Sequence, residues 1–168
     1  MPIKCPCGSN ENYQQCCQPL HLGQVLAQSA EQLMRSRYAA FVTHEIDYLI
    51  VTHSPETRDQ LIKADIMQWA KDSQWLGLNV VNHHQSSGSA QVEFVAWYKV
   101  DGKLQAHHEL SNFSLETIDP ALTELVGLNT TQAWYYHSAK PCDSTINIPK
   151  RNDPCICASG KKFKKCCG

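Results

Sequence analysis

LGLNVVNHHQSSGSAQVEFVAWYKVDGKLQAHHELSNFSLE, residues 76–116, is the stretch of sequence that decides the fold. Apolar and polar side chains alternate along much of it, the pattern of strands with one buried face. Turn signals interrupt the alternation around Ser87 and Gly88 and at Asp101 and Gly102. The stretch therefore predicts three strands joined by two tight turns. A final strand is predicted at AWYYHSA, residues 133–139.

The residues before this stretch have a helical period instead. In LAQSAEQLMRSRYAAFV, residues 26–42, apolar side chains recur at three- and four-residue steps, which predicts an amphipathic helix. HEIDYLIVTHSPE, residues 44–56, predicts a shorter helix that ends near Ser54, because Pro55 cannot continue it. Three helices before an antiparallel meander indicate an α+β fold, with the helices on one face of a curved sheet.

The third helix is predicted within SPETRDQLIKADIMQWAKDS, residues 54–73, with Ser54 or Thr57 as its cap. Its period places four apolar side chains inward: Leu61, Ile62, Ile66 and Trp69. TIDPALTELVGLNTTQ, residues 117–132, fits no strand or helix period well and predicts a turn or a short helix.

Length and charge restrict the functional classes. A chain of 168 residues is long enough for one domain with small appendages. A net charge of -1 provides no global basic field, so binding to nucleic acid is not expected. The start MPIKCPCGS has no apolar signal region, and no long apolar run follows, so neither secretion nor a membrane span is expected. The sequence predicts a cytoplasmic protein.

Eight of the nine cysteines form two clusters with one spacing: CxC, an eight-residue gap and CC. Adjacent cysteines are poor disulfide partners for each other, and disulfides are rare in a reducing cytosol. Two pairs of thiolates can instead close a tetrahedron around a metal ion. The spacing predicts up to two structural zinc ions per chain, with these ligands: Cys5, Cys7, Cys16 and Cys17 in one site, and Cys155, Cys157, Cys166 and Cys167 in the other.

Other interpretations of the clusters remain open at this point. Four thiolates also suit iron, and clustered thiols serve in redox chemistry, in metal delivery or in disulfides between the clusters. Cys142 lies outside both clusters and is interpreted as an unligated thiol.

The C-terminal cluster carries a lysine run that the N-terminal cluster lacks: Lys161, Lys162, Lys164 and Lys165. One explanation is that the lysines neutralise the formal charge of about -2 on a zinc ion with four thiolates. The N-terminal cluster needs the same neutralisation and has only Lys4 close by. The second explanation is that the lysines dock an acidic protein partner.

RNDPCICASGKKFKKCCG, residues 151–168, resembles the SEC-C motif, the zinc-binding tail of the SecA preprotein-translocation ATPase. The resemblance implies zinc binding by the four cysteines and, as in SecA, docking of a protein partner. Ile156 and Ala158 stand where a proline and a glycine are more usual, which affects the turn but no ligand.

The whole chain resembles the YchJ family. The resemblance rests on LMRSRYAAFVTHEIDYLIVTH (33–53), GLNVVNH (77–83), VEFVAWYK (92–99), HHELSNF (107–113) and WYY (134–136). It implies a four-cysteine segment at residues 1–20, a domain at 21–140 and a SEC-C motif at 150–168. The implied fold of the domain is the cone of nuclear transport factor two, the ketosteroid isomerases and the cystatins. The family supplies no established reaction, and Leu110 and Asn112 replace its common arginines.

That cone fold commonly encloses a pocket between helices and sheet. Two-residue turns pair His107 with Ala96, Glu109 with Phe94 and His83 with Val92. This register places six side chains on one sheet face, namely His83, His107 and Glu109 with Val81, Phe94 and Tyr98, whereas His84, His108 and Glu93 lie on the other face.

Glu109, His107 and His83 are therefore candidate catalytic residues, because a carboxylate beside two imidazoles can act in general acid–base catalysis. The alternative is that these histidines are buried and hydrogen-bonded, or face solvent. Arg35 and Arg37, in the first helix, either reach an anion or lie at the edge of the core.

Two functional hypotheses follow. In the first, the protein is a zinc-stabilised adaptor whose lysine-rich tail docks an acidic protein. In the second, it is an enzyme or a binder of a small ligand in the domain pocket.

Overall fold

The computed structural model describes residues 3–127, 130–142 and 145–168. Five helices are named here in chain order: α1 (Gln18–His21), α2 (Ala30–Thr43), α3 (Ile46–Val51), α4 (Lys63–Asp72) and α5 (Pro120–Val126). Four strands form one sheet: β1 (Gln74–Gln85), β2 (Ser89–Val100), β3 (Lys103–Thr117) and β4 (Gln132–Pro141). In addition, 3-10 turns occupy Tyr13–Gln15, Arg58–Gln60 and Phe163–Lys165.

The sheet is antiparallel with the strand order β1-β2-β3-β4, which confirms the predicted α+β architecture. The turn between β2 and β3 has a positive φ at both central residues, 50° at Asp101 and 72° at Gly102. Such a turn matches the twist of a hairpin and fixes its register. His107 therefore pairs with Ala96 and Glu109 with Phe94, as the sequence predicts.

β1 contains an irregularity that the sequence does not reveal. His83 pairs with Val92 as expected, but the register shifts between Val80 and Asn82. A bulge adds one residue to a strand and reverses the faces that follow it. The prediction that Val81 faces inward is therefore wrong: Val81 is 56% exposed, and Val80 packs against the core in its place.

α2 begins at Ala30, four residues later than predicted, because Ser29 caps it by accepting a hydrogen bond from the Gln32 N–H. α4 begins at Lys63, and neither Ser54 nor Thr57 caps it. The prediction that Ile62 faces inward is also wrong, since this residue is 61% exposed.

The late start of α4 has a tertiary cause. Arg58 donates hydrogen bonds to the carbonyls of Ile50, Val51 and His53 at the end of α3, and pairs with Asp119 beyond β3. These contacts hold residues 58–60 in a 3-10 turn, so the helix starts after them.

The main core lies between the helices and one face of the sheet, the inner face. Leu33, Met34 and Tyr38 of α2 and Leu49 of α3 pack there on side chains of β2 and β3. Among the described residues, no helix is long and apolar enough to cross a membrane.

The two cysteine clusters form small units that we name the N-terminal knuckle (residues 3–17) and the C-terminal knuckle (residues 153–168). The N-terminal knuckle packs on α2, where Arg35 donates a 2.9 Å hydrogen bond to the carbonyl of Cys7. The C-terminal knuckle covers the outer face of the sheet, where Cys155 and Ile156 pack on Val95 and Trp97. A groove beside the start of β1 is lined by both knuckles, so the two ends of the chain lie close together.

A buried histidine attaches the N-terminal knuckle to the domain. His21 donates from Nε2 to the Ser36 carbonyl at 2.9 Å, because a carbonyl can only accept. Its Nδ1 then accepts from the Tyr13 hydroxyl at 2.8 Å. Burial lowers the pKa of His21, so the neutral ring joins the knuckle to α2.

Candidate functional site

The two knuckles have the same backbone structure. In each, the first cysteine donates its N–H across the loop, from Cys5 to the Glu11 carbonyl at 2.8 Å and from Cys155 to the Lys161 carbonyl at 2.9 Å. A 3-10 turn precedes each CC pair. Equivalent positions also share left-handed backbone: Gly8 and Ala158 have φ of 81° and 55°. The repeated spacing in the sequence is therefore a repeated structure.

Each knuckle brings its four sulfur atoms together, all within 4.8 Å of one another. The N-terminal set includes a distance of 3.5 Å between the Cys7 and Cys16 sulfurs. The C-terminal set includes 3.4 Å between the Cys157 and Cys166 sulfurs. Four sulfurs at about 2.3 Å from a tetrahedral zinc ion lie about 3.8 Å apart. Both tetrads thus fit a metal ion held by four thiolates.

The pKa values of the thiols show why four neighbouring cysteines favour a bound cation. Burial raises the pKa of Cys157, but hydrogen bonds from Ser159, Cys166 and Cys155 outweigh it and lower the pKa to about 6. Burial and the neighbouring thiols raise the pKa of Cys167. Ionisation of one thiol therefore opposes ionisation of the next, and a divalent cation removes that repulsion.

The two tetrads differ in access to solvent. Cys5, Cys7 and Cys17 of the N-terminal knuckle are at most 5% exposed. Of the four cysteines in the C-terminal knuckle, only Cys155 is buried, and Cys166 is exposed. The C-terminal site is therefore more accessible to competing ligands in solution.

The predicted partner-binding lysines, Lys161, Lys162, Lys164 and Lys165, are all exposed. Within the described ranges, none of them forms an ion pair with a carboxylate. Lys150 and Arg151 next to the knuckle are exposed as well, and Asp153 is the one acidic residue between positions 150 and 168. The C-terminal knuckle is a compact basic surface.

A cavity of about 250 Å³ lies between the helices and the inner face of the sheet. Its wall is mostly aromatic and aliphatic, with polar atoms from a few side chains. The apolar wall includes Phe41, Trp69, Trp75, Phe94 and Phe113, and the polar groups come from Arg37, His53, His107, Glu109, Ser111 and Tyr136.

Glu109 is the centre of the polar groups. His107 donates to one of its carboxylate oxygens at 2.6 Å, and Ser111 donates to the other at 2.5 Å. Burial alone raises the pKa of Glu109, but these hydrogen bonds and the charge of Arg37 lower it below its ordinary value. The cavity therefore contains an ionised carboxylate at neutral pH.

His83 does not join these two residues. The sheet twist and the β1 bulge place it outside the cavity lining, 3.2 Å from Glu31 of α2, with its side chain 55% exposed. The register prediction is right for all three candidate residues, but His83 does not line the cavity that His107 and Glu109 share.

Arg37 is a cavity residue that the sequence leaves ambiguous. Its guanidinium donates at 2.7 Å to both the Leu49 carbonyl and the Thr52 hydroxyl, and lies 4.7 Å from the centre of the Tyr136 ring. Burial lowers the pKa of Arg37. One sequence feature could have identified Arg37 as a cavity residue: it lies on the face of α2 that also carries Met34, three residues earlier.

His53 was not singled out in the sequence, although it lines the same cavity. Its Nε2 is 3.0 Å from the Thr57 hydroxyl. Burial and the nearby charges of Arg37 and Arg58 lower its pKa to about 4. The ring is therefore neutral at physiological pH.

Comparison with known proteins places these features in a family. The model for the middle, NTF2-like domain of YchJ matches residues 29–139, and the SEC-C motif matches residues 1–19 and 151–168. The chain belongs to the YchJ family. Its relatives include a UPF0225 protein of Actinobacillus succinogenes, which is 40% identical over 170 residues covering 100% of this chain and 98% of the relative. A UPF0225 protein of Geobacter sulfurreducens is 37% identical, with 98% and 97% covered.

Two solved structures resemble this YchJ-family protein over most of its length. A SEC-C motif containing protein from Psychrobacter arcticus is 38% identical with a TM-score of 0.69, covering 98% of this chain and 94% of the other. RPA3114 from Rhodopseudomonas palustris, also a SEC-C motif containing protein, is 32% identical with a TM-score of 0.70, covering 84% and 100%. The fold of this chain is thus shared with two solved structures of SEC-C motif containing proteins.

Proposed function

We propose that this protein is a cytoplasmic, zinc-stabilised adaptor whose C-terminal knuckle docks on an acidic surface of another protein. The observation that carries the proposal is the exposed lysine cluster, unpaired within the described ranges, on a folded metal knuckle. The knuckle is attached to the domain through a buried contact, so it presents the lysines in a fixed place.

Zinc is the metal that the tetrads favour. All four positions of a tetrahedron are filled by thiolates in each knuckle, which leaves no site for substrate. Such closed sites supply folding energy to segments that are too short to form a core. A reducing cytoplasm keeps the thiols available for the metal.

Charge balance alone explains the lysines less well than docking does. The more buried tetrad has the greater need for neutralisation, because burial strengthens repulsion between thiolates. Yet the buried N-terminal tetrad has two neighbouring cations: Lys4, whose ammonium donates to the Asn10 carbonyl, and Arg35, whose charge is already balanced by Glu31. The lysines accumulate around the exposed tetrad, where water already screens the charge.

The test is affinity capture from cell lysate with three proteins of matched stability. In the first variant, Lys161, Lys162, Lys164 and Lys165 are changed to Gln. In the control, the same charge is removed from the domain, at Lys71, Lys99, Lys103 and Lys140. The wild type and the control should retain the same salt-sensitive protein, and the knuckle variant should lose it while keeping its zinc. Equal retention by both variants would refute docking by the lysines.

A second candidate function is the binding of a small ligand in the cavity. The observation that favours it is the ionised Glu109, hydrogen-bonded to His107 and Ser111 inside an aromatic wall. Few, well-placed polar groups in an apolar cavity are typical of ligand sites, and Glu109 with His107 also supplies the groups for acid–base catalysis.

The cavity is tested with a library of small aromatic fragments and ligand-observed NMR. Fragments that occupy the cavity should quench the fluorescence of Trp69 and Trp75. Changing Glu109 to Gln should weaken the binding of polar fragments at least several-fold. Glu116→Gln, on the same strand, should leave their binding affinity unchanged. If no fragment discriminates between these variants, Glu109 is not part of a ligand site.

A further inference from the structure

A third group of metal-ligating side chains lies on the outer face of the sheet. Glu93 of β2 and His108 of β3 meet diagonally, with His108 Nε2 donating to Glu93 Oε1 at 2.8 Å. Cys142 follows the end of β4, and its N–H donates to the His108 carbonyl at 3.3 Å. The carboxylate oxygen, ring nitrogen and sulfur all lie within 4.8 Å of one another. Three neighbouring strands thus converge on one point.

We propose that Glu93, His108 and Cys142 form a third, exchangeable metal site for a divalent cation of borderline softness, with Zn²⁺ as the preferred ion. The donor set consists of one thiolate, one imidazole and one carboxylate. Calcium and magnesium prefer oxygen ligands alone, whereas zinc accepts all three donor types.

The distances require only small movements when the ion binds. Around tetrahedral zinc, a nitrogen and an oxygen ligand lie about 3.3 Å apart and a nitrogen and a sulfur about 3.6 Å apart. His108 and Glu93 therefore separate by about half an ångström from their 2.8 Å contact. His108 is well positioned, with its side chain only 9% exposed, and Glu93 is fixed on the adjacent strand. Cys142, beyond the strand end, is the ligand that adjusts.

The third site differs from the two knuckles in having a free coordination position. Within the described ranges, three protein ligands surround the ion, and they leave one corner of the tetrahedron for water or a small anion. Cys142 and His108 line an open recess with Ala106, Pro141 and Ile146, so solvent reaches this corner. The ion is consequently held more loosely than in the closed tetrads. Its binding releases the Cys142 thiol proton to solvent, and the proton on His108 Nε2 transfers to Nδ1 through solvent, so that the neutral ring coordinates the ion through Nε2.

The chain contains its own reporter for this site. Eight of the nine cysteines lie in the tetrads, so Cys142 is the thiol that remains when both tetrads hold zinc. The experiment uses full-length protein with zinc-loaded tetrads, desalted in metal-free buffer. The rate at which one thiol reacts with an aromatic disulfide reagent is measured with and without added Zn²⁺. Zn²⁺ should slow the reaction at least tenfold.

Variants test whether the protection of Cys142 by Zn²⁺ depends on the other two ligands, His108 and Glu93. In His108→Asn and Glu93→Gln, the Cys142 thiol should still react but lose most of the protection by Zn²⁺. His84→Asn, at an exposed position on β1, serves as the control and should keep it. If Zn²⁺ does not protect the thiol in the wild type, or protects it equally in all variants, the third site does not exist.

Co²⁺ provides a second measurement that does not depend on thiol reactivity. Added to the desalted protein, it should produce a sulfur-to-cobalt charge-transfer band that saturates at one ion per chain. Cys142→Ser is a small change at a half-buried position, and it should abolish this band while the tetrads keep their zinc. A band of unchanged intensity in Cys142→Ser would place the cobalt in a tetrad and overturn the proposal.

Discussion

Gly77 on β1 lies directly against the carbonyl of Ile156 in the C-terminal knuckle. A Cβ atom at position 77 would stand 2.2 Å from the Ile156 oxygen and 2.9 Å from its carbon. The contact involves backbone on both sides, so no side-chain rotation relieves it. The absence of a side chain at this position allows the knuckle to seat on the outer face of the sheet, beside Val95 and Trp97.

Gly77→Ala should therefore displace the C-terminal knuckle from the sheet. We expect a loss of about 1–3 kcal/mol in the free energy of unfolding, the usual cost of overpacking a contact that cannot relax. Hydrogen exchange should increase in residues 153–168 and at Trp97, with little change in α2. Gly88→Ala is the matched control, because a Cβ there meets no atom within 4 Å. Equal exchange in the two variants would show that the contact does not hold the knuckle.

Ala158→Gly should strengthen the C-terminal knuckle. Ala158 has a φ of 55°, a left-handed conformation that costs a residue with a Cβ about 1–2 kcal/mol. Glycine removes this strain, and part of the gain is offset by its greater freedom in the unfolded chain. We expect a several-fold increase in the resistance of this site to a competing chelator. A decrease in resistance would mean that the left-handed turn is not retained in solution.

When desalting has first emptied the third site, metal removal by a chelator should proceed in two phases. The exposed C-terminal tetrad should release its ion first and the buried N-terminal tetrad at least tenfold more slowly, because the chelator must reach the thiolates. In Cys155→Ser/Cys157→Ser only the slow phase should remain. A single phase of two equivalents in the wild type would contradict the difference in burial.

The half-buried His53 should make the protein less stable in mild acid. Its pKa is about 4 in the folded chain and 6.5 ordinarily, so the unfolded chain takes up a proton first as the pH falls. Stability from this residue is complete above about pH 6.5 and is lost progressively towards pH 4. We expect about 1–2 kcal/mol of loss, after allowing for the half-exposed ring.

Urea unfolding at pH 7 and pH 5 measures this effect. His53→Gln should lose less stability between the two pH values than the wild type does. His84→Gln, at an exposed position, should lose as much as the wild type. Metal release in acid affects all three proteins alike, so it cancels in the comparison.

The sheet could be predicted because its signals are local. Alternation fixes which side chains share a face, and the Asp101–Gly102 turn fixes the pairing of Glu109 with Phe94. The bulge that turns Val81 outward has no equivalent signal, since either of the adjacent valines, Val80 or Val81, fits the alternation as the inward residue. The start of α4 was misplaced because Arg58 is held by Asp119, 61 residues away.

The tetrads, the cavity and the third metal site also differ in how far the sequence alone predicts them. The tetrads follow from spacing alone, because each knuckle is built from one short segment. The cavity and the third site each combine residues from several elements. His107 and Glu109 were found through the hairpin register, whereas the meeting of Cys142 with His108 depends on where β4 ends. A short segment reveals its own ligands, and a site assembled from distant segments requires the tertiary structure.

The central claim is that each of the two cysteine tetrads binds one zinc ion through four thiolates. Elemental analysis of protein purified and desalted without added metal tests it most directly. The account predicts about two zinc ions per chain in the wild type. It predicts about one in Cys5→Ser/Cys7→Ser and about one in Cys155→Ser/Cys157→Ser, with the circular dichroism of the domain retained in the latter. Wild-type protein without metal and with freely reactive thiols, or an unchanged zinc content in both variants, would contradict it.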